Sequence, residues 1–347
     1  MNKHGGYFGN KKEVIDFSIN INPIGISNEV KNVIVKSLDH IGRYPEIDGM
    51  TAKKSIAEYE AAHVDHLILG NGAAELIYLY ARALKPKKVL IIQPTFNEYK
   101  RAFKVVGSEI YECIMDKAND FLMDTHKIID AIKEIKPDVL VFCNPNNPTG
   151  RYTSRQDFQP IVEALDETNA SIFIDESFID FSGLPSYKPY IENQPVFILR
   201  SMTKYFAVPG MRLGYGIGNK TIIRKMAAIK EPWTLNCFAL NSVDALIHDK
   251  DYILRTKQWF ETEKRWMYES LKKIKNLHVI ESHTNFFLCQ LLNHTSKEIQ
   301  EKILQEDIYI RTCEDFTGLD DTYIRLAVKE REDNVKLIPC LEYALMI

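Results

Sequence analysis

Short apolar segments alternate with helix-forming segments through the middle of the chain, and this alternation restricts the possible folds more than any other feature. The intervening sequence predicts helices that include residues 97–106 and 155–165, and the apolar segments are residues 89–92, 139–143, 171–174 and 196–199. Strands that are apolar throughout are buried on both faces, as in parallel sheets covered by helices. We therefore expect an α/β fold with a mostly parallel central sheet, helices on both faces, and ligands at the carboxyl ends of the strands.

The sequence changes in character after about residue 231. Residues 249–275 predict one long, highly charged helix, which we interpret as a connection between two domains. Beyond it we expect a helix from Ser296, a final helix, and strands at residues 278–281, 285–291, 308–312 and 323–328. This mixture is typical of a small α+β domain. We therefore divide the chain into an N-terminal arm that contributes to the small domain (1–40), a large domain built on the central sheet (41–235), and a connecting helix with the small domain (236–347).

The composition is that of an ordinary globular protein, with 45% hydrophobic and 26% charged residues among 347. The formal net charge of −3 gives no reason to expect nucleic acid or an anionic membrane as a partner. The first residues lack the apolar core of a signal peptide, and no apolar run is long enough to span a bilayer. We expect a cytoplasmic protein with six free cysteines and no metal site, since His63 and His66 lack further ligands nearby.

Residues 201–204 (Ser-Met-Thr-Lys) follow the last apolar strand, and Arg212 comes eight residues after Lys204. Hydroxyl and guanidinium groups are donors that a phosphate ester needs at close range. A nearby lysine can form an imine with an aldehyde on the same molecule. A serine and a lysine at this spacing are common by chance, but together with the arginine they indicate a site for a phosphorylated aldehyde.

Three further motifs lie at strand or helix ends, and each has a structural alternative. Residues 144–150 (Asn-Pro-Asn-Asn-Pro-Thr-Gly) form either a tight turn or a set of amides that bind a ligand. Asp175 either caps the next element or pairs with a protonated ring nitrogen. Residues 70–75 (Gly-Asn-Gly-Ala-Ala-Glu) open a helix to Leu84, whose free amides either simply start a helix or hold a phosphate.

The order of these four motifs is similar to that in the fold-type I pyridoxal-phosphate enzymes, the aspartate-aminotransferase superfamily. The similarity extends over nearly the whole chain. Finer features resemble the threonine-phosphate decarboxylases of cobamide synthesis, which are close siblings of the histidinol-phosphate aminotransferases. These features are residues 4–6 (His-Gly-Gly), 16–23, 43–45 (Arg-Tyr-Pro), 175–181 and 310–313. The sibling family usually has a tyrosine in place of Phe178.

The resemblance implies pyridoxal 5′-phosphate as the cofactor and assigns a role to each motif. Lys204 would bind the cofactor as a Schiff base and transfer protons, and Asp175 would keep the pyridine nitrogen protonated. Asn147 would bind the phenolic oxygen of the ring, and Phe96 would stack on the ring. Tyr44 would reach the cofactor phosphate of a neighbouring subunit, which makes a homodimer the expected active unit. The cofactor phosphate would be held by Gly72, Ala73, Ala74, Ser201 and Arg212.

Two arginines lie on apolar segments of the expected small domain. A buried arginine is rare unless it is paired, and a substrate anion is a reasonable partner for Arg325. The resemblance places Arg311 beside it. Together with His4, Asn20 and the Asn147 amide, these arginines suit a small amino-acid substrate that carries both a carboxylate and a phosphate.

We therefore expect decarboxylation of an O-phosphorylated hydroxy-amino acid, L-threonine O-3-phosphate or L-serine O-phosphate, to a phosphorylated amino alcohol. The alternative enzyme is an aminotransferase for a phosphorylated substrate such as histidinol phosphate or a phosphorylated ketone. A third alternative is a regulatory module without catalysis, which Lys204 and Asp175 argue against.

Overall fold

A computed structural model describes residues 4–346. The α-helices are α1 (Asn28–Ser37), α2 (Met50–Tyr59), α3 (Gly72–Leu84), α4 (Glu98–Val105), α5 (Thr125–Ile135), α6 (Arg155–Asp166), α7 (Ile179–Ser182), α8 (Met202–Tyr205), α9 (Lys220–Ala227), α10 (Cys237–His248), α11 (Lys250–Leu271), α12 (Ser296–Gln305) and α13 (Arg331–Met346). The strands are β1 (Ile15–Asp16), β2 (Leu67–Asn71), β3 (Lys88–Gln93), β4 (Glu109–Ile114), β5 (Val139–Cys143), β6 (Ser171–Asp175), β7 (Val196–Ser201), β8 (Leu213–Gly218), β9 (Leu277–Val279), β10 (Phe286–Leu291), β11 (Ile308–Tyr309), β12 (Arg311–Thr312) and β13 (Tyr323–Ala327).

The central sheet has seven strands in the order β2-β8-β7-β6-β5-β3-β4. All its strands run in one direction except β8, which is antiparallel to both of its neighbours. The connection from β7 to β8, residues 202–212, is short, whereas a parallel crossover usually needs a dozen or more residues. The predicted α/β fold with a mostly parallel sheet is therefore confirmed, with one reversed strand.

Alternate residues of the central strands belong to different apolar clusters. In β5, Leu140 and Phe142 pack in one cluster, while Val139, Val141 and Cys143 pack in the other. Helices therefore cover both faces of the sheet, which explains why its strands are apolar without alternation. The four predicted central strands are confirmed with small changes at their ends.

The second sheet has four antiparallel strands in the order β12-β13-β10-β9. A third apolar cluster joins this sheet to helices α11, α12 and α13. The predicted long charged helix is confirmed as α11. The α+β domain predicted after residue 231 is thus present, although the predicted domain limits stay predictions.

The predicted strand 308–312 is wrong as a single element. Its first part, β11, pairs in parallel with β1 from the N-terminal arm, and its last part, β12, pairs with β13. The chain therefore passes from one sheet to another at Ile310. The partner strand for β11 comes from nearly three hundred residues away, which the local pattern does not reveal.

No described helix is long and apolar enough to cross a membrane. His66 Nδ1 lies 2.8 Å from the Gly218 carbonyl oxygen, while His63 caps its own short turn through Nδ1. Within residues 4–346, no group of three His, Cys, Asp or Glu side chains is arranged to hold a metal ion. The six cysteines are free.

Candidate active site

A cavity of about 630 Å³ opens between the carboxyl-terminal edge of the central sheet and the small sheet. The carboxyl ends of parallel strands are where α/β proteins bind ligands. The predicted site residues that line it are His4, Asn20, Ala73, Ala74, Phe96, Asn147, Asp175, Ser201, Lys204, Arg311 and Arg325. Gly72, Arg212 and Tyr44 are outside this lining.

The reversed strand β8 brings three separate motifs together. Its first residues pair with the last residues of both neighbours, so that Ser201 lies opposite Gly214 and Asn71 opposite Leu213. The residue before β8, Arg212, therefore reaches the start of α3. A Cβ atom on Gly72, which has φ +76°, would lie 2.4 Å from Arg212 Nη2, so glycine allows this approach.

The start of α3 and the adjacent Arg212 suit a phosphate. The first amides of α3 have no partner within the helix, and the helix dipole favours an anion there. Arg212 is exposed, and its only hydrogen bond found among the described residues joins Nη1 to the Pro209 carbonyl at 3.4 Å. The Ser201 side chain is buried and lies beside that of Thr203, with 2.9 Å between their hydroxyl oxygens.

Lys204 lies on α8, a short helix directly after β7. Its Nζ donates to Ser201 Oγ at 3.1 Å and lies 5.7 Å from the centre of the Phe178 ring. Burial lowers the pKa of Lys204, although the nearby Asp175 carboxylate partly opposes this change. A lowered pKa favours the neutral amine, which is the form that attacks a carbonyl carbon.

Asp175 ends β6 and is only 4% exposed. The Tyr99 hydroxyl donates to Asp175 Oδ2 at 2.7 Å, and the Ser177 amide donates to Oδ1 at 2.7 Å. Burial and the Asp175 charge raise the pKa of Tyr99 well above its usual value, so the phenol keeps its proton. The carboxylate is thus fixed in orientation and faces the cavity.

The turn interpretation of residues 144–150 is confirmed for two asparagines, and ligand binding stays a prediction for the third. Asn144 Nδ2 and Asn146 Nδ2 donate to the carbonyl oxygens of Thr153 and Pro94, which holds the turn in place. Asn147 instead faces the cavity, and its Oδ1 accepts from Arg325 Nη1 at 2.5 Å. The turn therefore presents one amide to a ligand.

Arg325 is a buried cation whose guanidinium forms an ion pair with none of the carboxylates that the structure describes. It is 6% exposed, and Nη2 donates to the Ser18 carbonyl oxygen at 2.8 Å while Nε has no partner among the described residues. Burial lowers the pKa of Arg325 to about 10. A buried charge of this kind is costly unless an anion joins it.

Arg311 lies directly opposite Arg325 in the pairing of β12 with β13. Its guanidinium is differently placed, because Nη2 contacts both carboxylate oxygens of Asp315 at 2.7 and 2.8 Å. Its Nη1 donates to the Thr312 carbonyl oxygen at 2.6 Å. The predicted pair of arginines is therefore adjacent, but only Arg311 has a carboxylate beside it.

The N-terminal arm supplies two more lining residues. His4 packs at 5.9 Å from the Phe96 ring, and its Nε2 lies 3.3 Å from Glu98 Oε1. Asn20 is buried, and its Oδ1 has no partner among the described residues. Phe96 also packs edge-on against Tyr99 at 5.7 Å, so its ring borders the cavity beside the group that holds Asp175.

Tyr44 is remote from the cavity of its own chain. It is 84% exposed, and its ring lies beside that of Trp233, at 5.2 Å between ring centres. Any contact of Tyr44 with a bound cofactor would therefore require a second chain.

Sequence reasoning missed several residues of the site. Tyr99 and Asp315 contact predicted residues, but neither belongs to a motif. Outside the cavity lining, it also missed Arg200, which is buried against three carboxylates from Glu60, Glu176 and Asp180. An arginine within the apolar segment before Ser201 was a usable signal, because a buried arginine needs partners.

These groups fit pyridoxal 5′-phosphate. The start of α3 with Arg212 suits its phosphate, and the guanidinium can approach the helix start because Gly72 has no Cβ atom. The Lys204 amine suits its aldehyde carbon, and the buried Asp175 carboxylate suits a protonated ring nitrogen.

Comparison with known proteins agrees with this fit. The family described as aminotransferase class I and II matches residues 12–338. A protein of Caldanaerobacter subterraneus subsp. tengcongensis, provisionally named a threonine-phosphate decarboxylase, is 40% identical over 93% of this chain and 88% of its own length. The threonine-phosphate decarboxylase of Salmonella typhimurium is 32% identical over 96% and 92%.

A solved structure is similar as well. The histidinol-phosphate aminotransferase of Clostridium acetobutylicum has a TM-score of 0.90 and 36% identity, with 96% of this chain and 99% of that chain covered. The resemblance inferred from the motifs is thus confirmed, and with it the cofactor. The chain belongs to the aminotransferase class I and II family of pyridoxal-5′-phosphate enzymes.

Proposed function

We propose that this protein decarboxylates an O-phosphorylated hydroxy-amino acid, L-threonine O-3-phosphate or L-serine O-phosphate, to a phosphorylated amino alcohol. The observation that carries the proposal is the pair of buried arginines on the substrate side of the cavity, Arg311 and Arg325, opposite each other on adjacent strands. Two cations suit a substrate with two anions. The decarboxylases among the similar proteins are named for such a substrate.

On the cofactor side, each residue would have one task. Gly72, Ala73 and Ala74 at the start of α3, with Ser201 and Arg212, would hold the phosphate. Asp175 would keep a proton on the ring nitrogen, and Asn147 would donate to the phenolic oxygen. Phe96 would lie against the ring face. With its ring nitrogen protonated, the bound cofactor supplies an electron sink for the bond that breaks at the α-carbon.

On the substrate side, Arg325 would bind the α-carboxylate. Its Nη1 bonds Asn147 Oδ1, so the guanidinium lies next to the amide that we assign to the ring. Arg325 Nε and Asn20 Oδ1 have no partner within residues 4–346, so one donor and one acceptor would serve the substrate. Arg311 and His4 would then receive the substrate phosphate.

Which bond of the α-carbon breaks depends on how the substrate is oriented relative to the cofactor ring. The bond that lies perpendicular to the conjugated plane breaks most easily, so Arg325 favours loss of carbon dioxide if it holds the carboxylate out of that plane. Lys204 Nζ would then deliver a proton to the α-carbon. Burial lowers the pKa of Lys204, which makes release of a proton from the ammonium group easier than in an exposed lysine.

An aminotransferase for a phosphorylated substrate is the second candidate. The observation that favours it is the similarity to the C. acetobutylicum structure, which is named a histidinol-phosphate aminotransferase. The residues assigned above serve either reaction, because Lys204 would remove the α-proton if that proton were perpendicular to the ring plane.

We also propose a homodimer in which Tyr44 reaches the cofactor phosphate of the partner subunit. The support is the position of Tyr44, exposed and outside its own cavity, next to other exposed apolar side chains, Leu38, Ile41 and Ile47. Such a contiguous apolar segment is typical of a surface covered by another chain. Analytical ultracentrifugation of the cofactor-loaded protein measures the assembly directly.

The function is tested by product identification. The cofactor-loaded enzyme is incubated separately with phosphothreonine, phosphoserine and histidinol phosphate, each with and without 2-oxoglutarate. Carbon dioxide and a phosphorylated amino alcohol, formed without 2-oxoglutarate, are the expected products. Glutamate formed only with 2-oxoglutarate, and no carbon dioxide, would support the aminotransferase instead.

A further inference from the structure

Asp315 stands where a substrate anion would be expected. Both of its carboxylate oxygens contact Arg311 Nη2, at 2.7 and 2.8 Å, and Asp315 itself lines the cavity. The opposite arginine, Arg325, has no such carboxylate among the described residues. One of the two cations on the substrate side therefore already holds an anion that belongs to the chain.

The backbone of Asp315 is held by a contact that does not involve Arg311. Asn97 Nδ2 donates to the Asp315 carbonyl oxygen at 2.8 Å, which ties the loop between β12 and β13 to the start of α4. The carboxylate is 21% exposed at the cavity, so rotation of the side chain can move it away from Arg311 without moving the loop.

A phosphate and this carboxylate compete for the same donor. Arg311 Nη1 is engaged by the Thr312 carbonyl oxygen, and Nη2 is the nitrogen that Asp315 occupies. Two like charges beside one guanidinium repel each other. An arriving anion must therefore either displace the carboxylate or bind against its repulsion, and both weaken binding.

We propose that Asp315 is a specificity-determining residue, an internal competitor that a substrate phosphate must displace from Arg311. The inference rests on the proposed function, which places the phosphate there. Every anion that binds Arg311 must displace Asp315 or bind against its repulsion. A singly charged group such as a carboxylate gains little, because it replaces the Asp315 contact with a similar one. A dianionic phosphate forms stronger charge-assisted bonds and can displace Asp315.

The test is calorimetric titration of cofactor-loaded enzyme with inorganic phosphate at pH 8, where the probe is mostly dianionic. Asp315→Asn should tighten phosphate binding by about tenfold, because the competing charge is gone while the loop stays hydrogen-bonded. Asp315→Ser should do the same and serves as a second variant if the first does not fold. Asp321→Asn, an exposed carboxylate on the same loop outside the cavity, is the matched control and should change binding by less than about twofold.

A double-mutant cycle separates competition from a structural effect. In the Arg311→Gln background, Asp315→Asn should give no gain, since the contested donor is absent. Unchanged or weaker phosphate binding by both Asp315 variants, or an equal gain without Arg311, would overturn the inference. The titration needs no turnover, so a failure to release carbon dioxide would contradict the proposed function and leave this result standing.

Discussion

The two halves of the cavity are built differently. On the cofactor half, Asp175 and Ser201 come from the ends of neighbouring central strands, and their side chains have partners within the chain. On the substrate half, the groups come from the N-terminal arm and from β12 and β13 of the small sheet. Two buried polar atoms there, Asn20 Oδ1 and Arg325 Nε, have no partner in the part of the chain that the structure describes.

This difference has a physical meaning. Strand register fixes the cofactor half before any ligand binds, which costs little reorganisation when the cofactor arrives. Buried donors and acceptors without a partner instead destabilise the ligand-free protein, and a ligand that pairs with them removes this destabilisation. Substitutions in the cofactor half should therefore alter cofactor attachment, and substitutions in the substrate half should alter substrate affinity.

Replacement of Lys204 should have the largest effect. Lys204→Ala removes the amine that binds the cofactor and moves the proton, so we expect kcat to fall by at least about a thousandfold. Borohydride reduction followed by intact-mass measurement should show a cofactor adduct on the wild type and none on the variant. An adduct of equal yield on the variant would place the attachment on another lysine.

Replacement of Arg325 should lower kcat/KM for the substrate but raise the stability of the substrate-free protein. Arg325→Gln is expected to lower kcat/KM about a hundredfold, because a buried charge-assisted contact to the carboxylate is lost. The same change should raise the melting temperature of the substrate-free protein, since a buried charge with no described counter-ion is removed.

Arg311→Gln is the matched comparison for stability. It leaves the Asp315 carboxylate without its guanidinium partner, so its melting temperature should fall. Equal shifts of the same sign in both arginine variants would contradict the distinction drawn between them.

Gly72→Ala should disturb the cofactor half selectively. The added Cβ would lie 2.4 Å from Arg212 Nη2 at a backbone φ of +76°, so the arginine must move away from the helix start. We expect cofactor affinity to weaken about tenfold, with the substrate KM at saturating cofactor nearly unchanged. Gly210→Ala, where a Cβ would meet nothing within 4 Å, is the control. Equal losses in the two variants would argue against the approach of Arg212 as the cause.

The smallest expected effect is on pH dependence of stability in the cofactor-free protein. Burial lowers the pKa of Lys204 below 10.5 in the folded state, so between the two values the unfolded chain binds more protons. The free energy of unfolding that Lys204 contributes therefore rises with pH across that window. Lys204→Met should be more stable than wild type below it, and the difference should shrink as pH approaches 10.5. Urea unfolding at several pH values measures this difference in the free energy of unfolding. A difference that does not change with pH would contradict the burial assigned to Lys204.

The cofactor half could be predicted from sequence because its groups belong to compact motifs at strand and helix ends. Lys204, Asp175 and the start of α3 were located in this way, and the family is confirmed. The substrate half was harder, because its contacts depend on tertiary pairing. Nothing local in the sequence shows that β11 pairs with the arm or that Asp315 contacts Arg311.

We propose that the substrate half selects an amino acid with two anionic groups and directs loss of its carboxylate. The most direct measurement is carbon dioxide release from carboxyl-labelled O-phospho-L-threonine and from carboxyl-labelled L-threonine, at equal concentration, by fully cofactor-loaded enzyme. The account predicts labelled carbon dioxide and a phosphorylated amino alcohol from the first compound, and at least about a hundredfold slower release from the second. No release from the phosphorylated compound, or equal release from both, would contradict it.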